Sequence, residues 1–168
     1  LDAMYVPVNF RVRADELTYM LNNAAPKVMF VGARYVDLVQ SVAPHVESVK
    51  QYVALEAGES PWPFYEELLA SASPEERLPQ ADEGDSTIIL FTAGTTGQPK
   101  GVMLTHNSFS SYILSNVSPV DPEVEERSIL TVPLHHVAGI QAVLSAVYSG
   151  RSLIIQRQFE PKEWMDLV

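Results

Sequence analysis

Cysteine is absent from the 168 residues. That excludes disulfides and thiolate metal centres, and it fits a chain that works in the reducing cytoplasm. Basic residues are scarce: 11 Lys and Arg stand against 21 Asp and Glu, giving a net charge of −10 and a pI near 4.7. Phosphate-lined polymers and anionic bilayers need clustered cations, so neither nucleic acid nor a charged membrane surface is expected as a partner. No apolar run approaches the ~18 residues that a spanning helix requires, and no transmembrane segment is expected. The opening residues, LDAMYVPVNF, lack the basic start and long apolar stretch of a signal peptide. Missing too are the G-x-G-x-x-G fingerprint, the Walker A spacing and the G-x-S-x-G elbow, which disfavours three common nucleotide-binding or hydrolytic sites.

What the chain does have is concentrated at residues 87–106, TIILFTAGTTGQPKGVMLTH. Ile88, Ile89, Leu90 and Phe91 lead into the loop Thr92-Ala93-Gly94-Thr95-Thr96-Gly97-Gln98-Pro99-Lys100-Gly101, and Val102-Met103-Leu104 lead out. The pattern predicts strand, phosphate-type loop, strand. Glycines at 94, 97 and 101 allow positive φ and close backbone approach to a ligand. Three threonine hydroxyls, successive amides and one lysine supply donors and charge for an anion. Pro99 restricts the backbone just before that lysine. The competing reading is an ordinary Gly/Thr-rich hairpin, yet tight hairpins rarely use ten loop residues of this composition.

Elsewhere the chain alternates. Residues 3–8 read as a strand, 15–25 as a helix with Leu17, Met20 and Leu21 on one face, and 27–32 as a buried strand. A helix over 34–42 and a strand over 49–55 complete a βαβαβ segment, for which a parallel sheet is expected. Residues 56–86 form an acidic, Pro-punctuated connector with one short helix at 63–72, and Arg77 is its sole basic residue. After the loop, His106 is expected to close the strand and Asn107 to cap the next helix. A strand at 129–132, a helix to Tyr148 stopped by Gly150, and a strand at 152–155 follow, and residues 159–168 begin a further element. The fold class is therefore α/β: a mostly parallel sheet flanked by helices, with a phosphate-loop β-hairpin. Three segments organise it, at 1–55, 56–86 and 87–168.

Phe91-Thr92-Ala93-Gly94-Thr95-Thr96-Gly97-Gln98-Pro99-Lys100-Gly101 resembles the signature loop of the adenylate-forming, AMP-binding enzymes, [Tyr/Phe]-Thr-[Ser/Ala]-Gly-Thr-Thr-Gly-x-Pro-Lys-Gly. Ala93 stands where serine is more usual, which removes a hydroxyl and keeps the backbone path. Pro133-Leu134-His135-His136-Val137-Ala138-Gly139 is similar to the family's Pro-Leu-[Phe/Tyr]-His-x-x-Gly element, with His135 in place of the usual aromatic. Residues 3–11 resemble, less sharply, a stretch that precedes the loop in relatives.

The resemblance implies a part of the larger N-terminal adenylation domain of an acid–CoA ligase. Such an enzyme activates a carboxylic acid with ATP and Mg2+ to an acyl-adenylate, then passes the acyl group to coenzyme A. It implies Thr92, Ala93, Gly94, Thr95, Thr96, Gly97, Gln98, Pro99 and Lys100 as nucleotide-binding residues. Lys100 and His136 are implied as catalytic. The family's Tyr-Gly-x-Thr-Glu segment, ribose-binding aspartate and C-terminal lid are not within the 168 residues, so the fragment alone is expected to be silent. Two alternatives stay open: a non-catalytic nucleotide-binding module, and an adenylation domain that serves a carrier protein. From the residues alone, His135 and His136 are either polar loop residues or site groups at a strand-to-helix junction, where α/β sheets place ligands. A metal site built from the pair is disfavoured, because neighbours on a strand point to opposite faces.

Overall fold

The computed structural model describes residues 2–76, 78–93, 97–121, 123–156 and 159–167. Six helices and six strands lie among them, and the strands pair two by two into three small sheets. The chain divides into two compact units, Leu1–Ala81 with Thr87–Met103, and Asp82–Ser86 with Leu104–Val168.

In the first unit, α1 (Ala14–Ala24) starts with Asp15 and Glu16 in its first turn, where carboxylates favour the helix dipole. Leu17, Met20 and Leu21 recur at helical spacing and are buried. The helix ends at Ala25 in the left-handed region (φ 48°, ψ 49°), whose amide donates to the Leu21 carbonyl at 2.8 Å; Pro26 then prevents continuation. β1 (Val28–Val31) and β2 (Gln51–Ala54) pair in parallel, Val28 with Gln51 through Val31 with Ala54. The connection between them contains a 3-10 turn at Ala33–Tyr35, α2 (Val36–Val42) and a second 3-10 turn at Ala43–His45. Leu17, Leu21, Val31, Val36, Val39, Val42, Val46 and Val49 form one buried cluster across these elements. Each such side chain contributes about 1.5–3 kcal/mol when removed from water. Within the connector, α3 (Tyr65–Ser71) sets the Tyr65 ring edge-on against Phe30 of β1 at 6.0 Å.

The expected strand at 3–8 is reduced to one residue. Tyr5 bridges Ile88 in parallel, donating its amide to the Thr87 carbonyl (2.8 Å) and accepting from the Ile89 amide (3.0 Å). Pro7 has no N–H to extend the ladder. This segment therefore supports the strand that enters the loop, and the βαβαβ expectation narrows to one βαβ unit plus that bridge.

The second unit contains α4 (His106–Asn116), β5 (Arg127–Leu130), α5 (Val137–Ser149), β6 (Ser152–Ile155) and α6 (Pro161–Leu167). β5 and β6 are parallel, Arg127 with Ser152 through Leu130 with Ile155, and α5 crosses over between them. Phe109, Ile113, Ile140 and Ala146 are its buried apolar residues. α5 closes as the sequence predicts. Gly150 takes φ 81°, its amide reaches the Val147 carbonyl (3.3 Å), and the Arg151 amide reaches that of Ala146 (2.9 Å). The expected strand at 129–132 is shifted to begin at Arg127, where the partner register starts.

Candidate functional site

β3 (Ser86–Thr92) and β4 (Lys100–Thr105) pair as the strand–loop–strand pattern predicts. Ile88, Ile89 and Leu90 are buried, so the entering strand is anchored by three consecutive apolar side chains. Exposure begins at Thr92 and Ala93, and returns at Gly97 and Gln98 after the undescribed stretch. Gly94, Thr95 and Thr96, three of the expected phosphate-binding residues, lie outside the described residues.

The loop is held at its ends. Pro99 is buried, which pins the returning chain immediately before Lys100. Across the neck, the Thr92 hydroxyl donates a long hydrogen bond to the Lys100 carbonyl at 3.4 Å. Gly97 has φ 91° with open space where a Cβ would stand, so its conformation, not crowding, calls for glycine. Crowding is what calls for it at 101. There a Cβ would lie 3.1 Å from Ile89 Cγ2 and 3.5 Å from the Phe91 ring. The side chain of Lys100 is exposed and has neither ion pair nor hydrogen bond among the described residues. In a chain of net charge −10, an ammonium with no carboxylate partner among the described residues is placed to meet an anion.

His136 belongs to the second unit, Lys100 to the first. It is the N-cap of α5, with extended backbone (φ −109°, ψ 143°) and an exposed side chain that makes no cap hydrogen bond. Its amide donates to the Pro133 carbonyl (3.0 Å), and its own carbonyl accepts from Gly139 (3.0 Å) and Ile140 (3.4 Å). Gly139 explains the glycine of the element. A Cβ there would sit 2.4 Å from the Pro133 carbonyl oxygen and 2.7 Å from that of Val132. Only a bare Cα lets the first turn of α5 lie this close to the chain that precedes it.

The expectation that His135 and His136 diverge, as on a strand, is overturned. Both lie in the turn that precedes α5, with ring centroids 4.3 Å apart and planes tilted by 45°. Pro133 was the available signal, since it ends strand pairing and opens a turn. Burial first, and then the charge of His136, lowers the pKa of His135 below its ordinary 6.5.

His106 and Asn107 also change places. His106 is the first residue of α4, and the cap is Thr105, whose hydroxyl accepts from the Ser108 amide at 3.1 Å. The Ser108 hydroxyl receives the Thr105 amide at 3.4 Å, completing a capping box. The amides of His106 and Asn107 are taken by the carbonyls of Asp85 (3.2 Å) and Glu83 (2.9 Å).

Set against known proteins, residues 1–168 match the family described as AMP-binding enzyme. Long-chain-fatty-acid–CoA ligase FadD13 of Mycobacterium tuberculosis is 30% identical over 171 residues, covering 100% of this chain and 33% of that protein. Indoleacetate–CoA ligase of Aromatoleum aromaticum is 28% identical over 170 residues, with the same coverage of both. The inhibitor-bound N-terminal domain of FACL13 from Mycobacterium tuberculosis superposes with a TM-score of 0.82 at 29% identity, over 96% of this chain and 40% of that one. The chain thus spans about a third of the length of the curated relatives it matches.

Proposed function

The chain belongs to the AMP-binding enzymes, and from that premise we propose that it is part of an acid–CoA ligase. A carboxylate oxygen of the acid attacks the α-phosphorus of ATP, and the bond to pyrophosphate breaks. The thiolate of coenzyme A then attacks the acyl carbon and expels AMP. One observation carries the reading: a ten-residue Gly/Thr loop sequence, pinned at buried Pro99, whose exposed Lys100 has no ion pair among the described residues.

In this reading the Lys100 ammonium meets the charge that develops on the departing pyrophosphate, and the Gly/Thr loop sequence supplies amide and hydroxyl donors for the phosphates. His136 offers an imidazole to the acid or the reacting phosphate. Magnesium enters with the nucleotide. Among the described residues no three or more His, Cys, Asp or Glu stand together as a metal cluster. No helix of the described residues is long and apolar enough to cross a membrane; we infer a cytoplasmic site of action, which the absence of cysteine supports. Among acids, a fatty acid is put first, since FadD13 is a long-chain-fatty-acid–CoA ligase, and an aryl-substituted acid second, after the indoleacetate enzyme.

Carboxylate-dependent ATP–pyrophosphate exchange by the full product of the gene, across fatty and aryl acids, tests the proposal. Exchange with one class names the substrate, whereas ATP binding without exchange on any acid points to a non-catalytic nucleotide module. Lys100→Ala removes one charge-assisted contact of about 1.5–3 kcal/mol, so kcat/KM for ATP is expected to fall roughly 10- to 150-fold with little change in folding stability. Unaltered ATP kinetics would remove Lys100 from the site.

A further inference from the structure

The turn that carries His136 also brings a second titratable ring against it. An imidazole at an exposed N-cap can turn about two side-chain torsions within the wells its backbone allows. The His135 ring limits that freedom by sheer contact, at a centroid separation of 4.3 Å and a tilt of 45°. Contact is built into the backbone as well. The bond from the His136 amide to the Pro133 carbonyl closes the turn, and the absent Cβ of Gly139 lets α5 start directly beneath it.

We propose that His135 is a positioning residue that holds the His136 imidazole in one orientation at the entrance to α5 and discourages the pair from carrying two protons. The proposal deepens the reading of His136 as a site residue and rests on it. Two like charges this close repel, so the second proton binds more weakly than the first. Partial burial of His135 acts in the same direction, and its proton is given up below the ordinary 6.5. Among the charged side chains of the second unit, Arg127 of β5 pairs with Glu125 at 2.9 Å and Arg151 ahead of β6 with Glu126 at 2.8 Å. His106 lies at the start of α4. The family element that this turn resembles carries Phe or Tyr at the position of His135. Such a ring can position its neighbour but cannot act as an imidazole does near neutral pH. Here positioning and proton count are joined in one side chain.

Imidazole resonances of the full gene product, isotope-labelled at histidine and followed by NMR from about pH 5 to pH 8, where histidines titrate, test the contact. The ring-current shift on the His136 ring protons should persist in His135→Phe and vanish in His135→Ala; the same shift in His135→Ala would overturn the positioning role. In His136→Gln the titration midpoint of His135 should rise, because a repelling neighbour has gone, and an unmoved midpoint would overturn the shared-proton part. The functional arm is acid-dependent exchange by the full gene product. His135→Ala should lower kcat several-fold at constant KM for ATP, and His135→Phe should restore kcat while changing the acid limb of the pH profile. Equal kcat in His135→Ala and the parent would sink the functional consequence. If the parent shows no exchange with any acid, the acid–CoA ligase reading fails, and the NMR arms still decide whether the rings are coupled.

Discussion

Two helices of the second unit begin in opposite ways. At the start of α4 nearly every backbone donor is accounted for: Ser108 bonds the Thr105 hydroxyl, and His106 and Asn107 reach the carbonyls of Asp85 and Glu83. At the start of α5 the N-cap is a histidine whose side chain caps nothing, and the amides of Val137 and Ala138 have no partner among the described residues. A serine or aspartate at 136 would stabilise that helix by about 1 kcal/mol over a non-capping residue. α1, α2 and α3 also start without a side-chain cap, so the box on α4 is the exception among these helix starts.

The sharpest way to break the contrast is Gly139→Ala. A methyl group at 2.4 Å from a backbone carbonyl oxygen must displace either α5 or residues 132–133, at a cost of about 3 kcal/mol. Chemical denaturation should show that loss, and a variant as stable as the parent would mean that the close approach does not exist. Thr105→Ala should cost about 1 kcal/mol by removing the capping box on α4, with no effect on exchange activity. His136→Asp sharpens the comparison from the other side. It should raise stability by about 1 kcal/mol as α5 gains a cap, while acid-dependent exchange falls; full activity in this variant would make His136 an ordinary loop residue. The smallest effect concerns pH. Because the folded pKa of His135 lies below its unfolded 6.5, the native state binds fewer protons there, and this contribution to stability is present above pH 6.5 and lost as the pH falls through the lower folded value. His135→Phe should remove that part of the acid-side slope in a denaturation series, and an identical slope would show that the pair does not titrate as described.

Legibility followed the range of the interaction that decides each feature. Gly150, the helix it ends and the strand from Ser152 to Ile155 were readable, because a left-handed C-terminal residue and a short apolar run are local signals. The strand–loop–strand around Thr92 and Lys100 was readable for the same reason. Thr105 and Asn107 are both good caps by type, each with serine three residues on, so their local chemistry is degenerate. Carbonyls of Glu83 and Asp85, some twenty residues upstream, break the tie. Tyr5 is a similar case. Its pairing with Ile88 spans more than eighty residues, and period alone predicts a longer strand beside β1. At the candidate site, Gly139 enters the sequence only as the last residue of the Pro133–Gly139 element, and the close approach that calls for it comes from the carbonyls of Val132 and Pro133. The approach of His135 to His136 was not legible, since alternation was assumed where Pro133 had already ended the strand.

One property of the chain's path has a practical side. Sequence runs through the first unit to Ala81, enters the second at Asp82–Ser86, returns for Thr87–Met103, and leaves again at Leu104. No single cut can therefore release both units whole. A protease that nicks the acidic connector, or a boundary drawn there for expression, strands the loop-bearing hairpin with the wrong partner. Gene splitting, circular permutation and domain exchange all need at least two junctions on this chain, and residues 82–86 have to travel with α4.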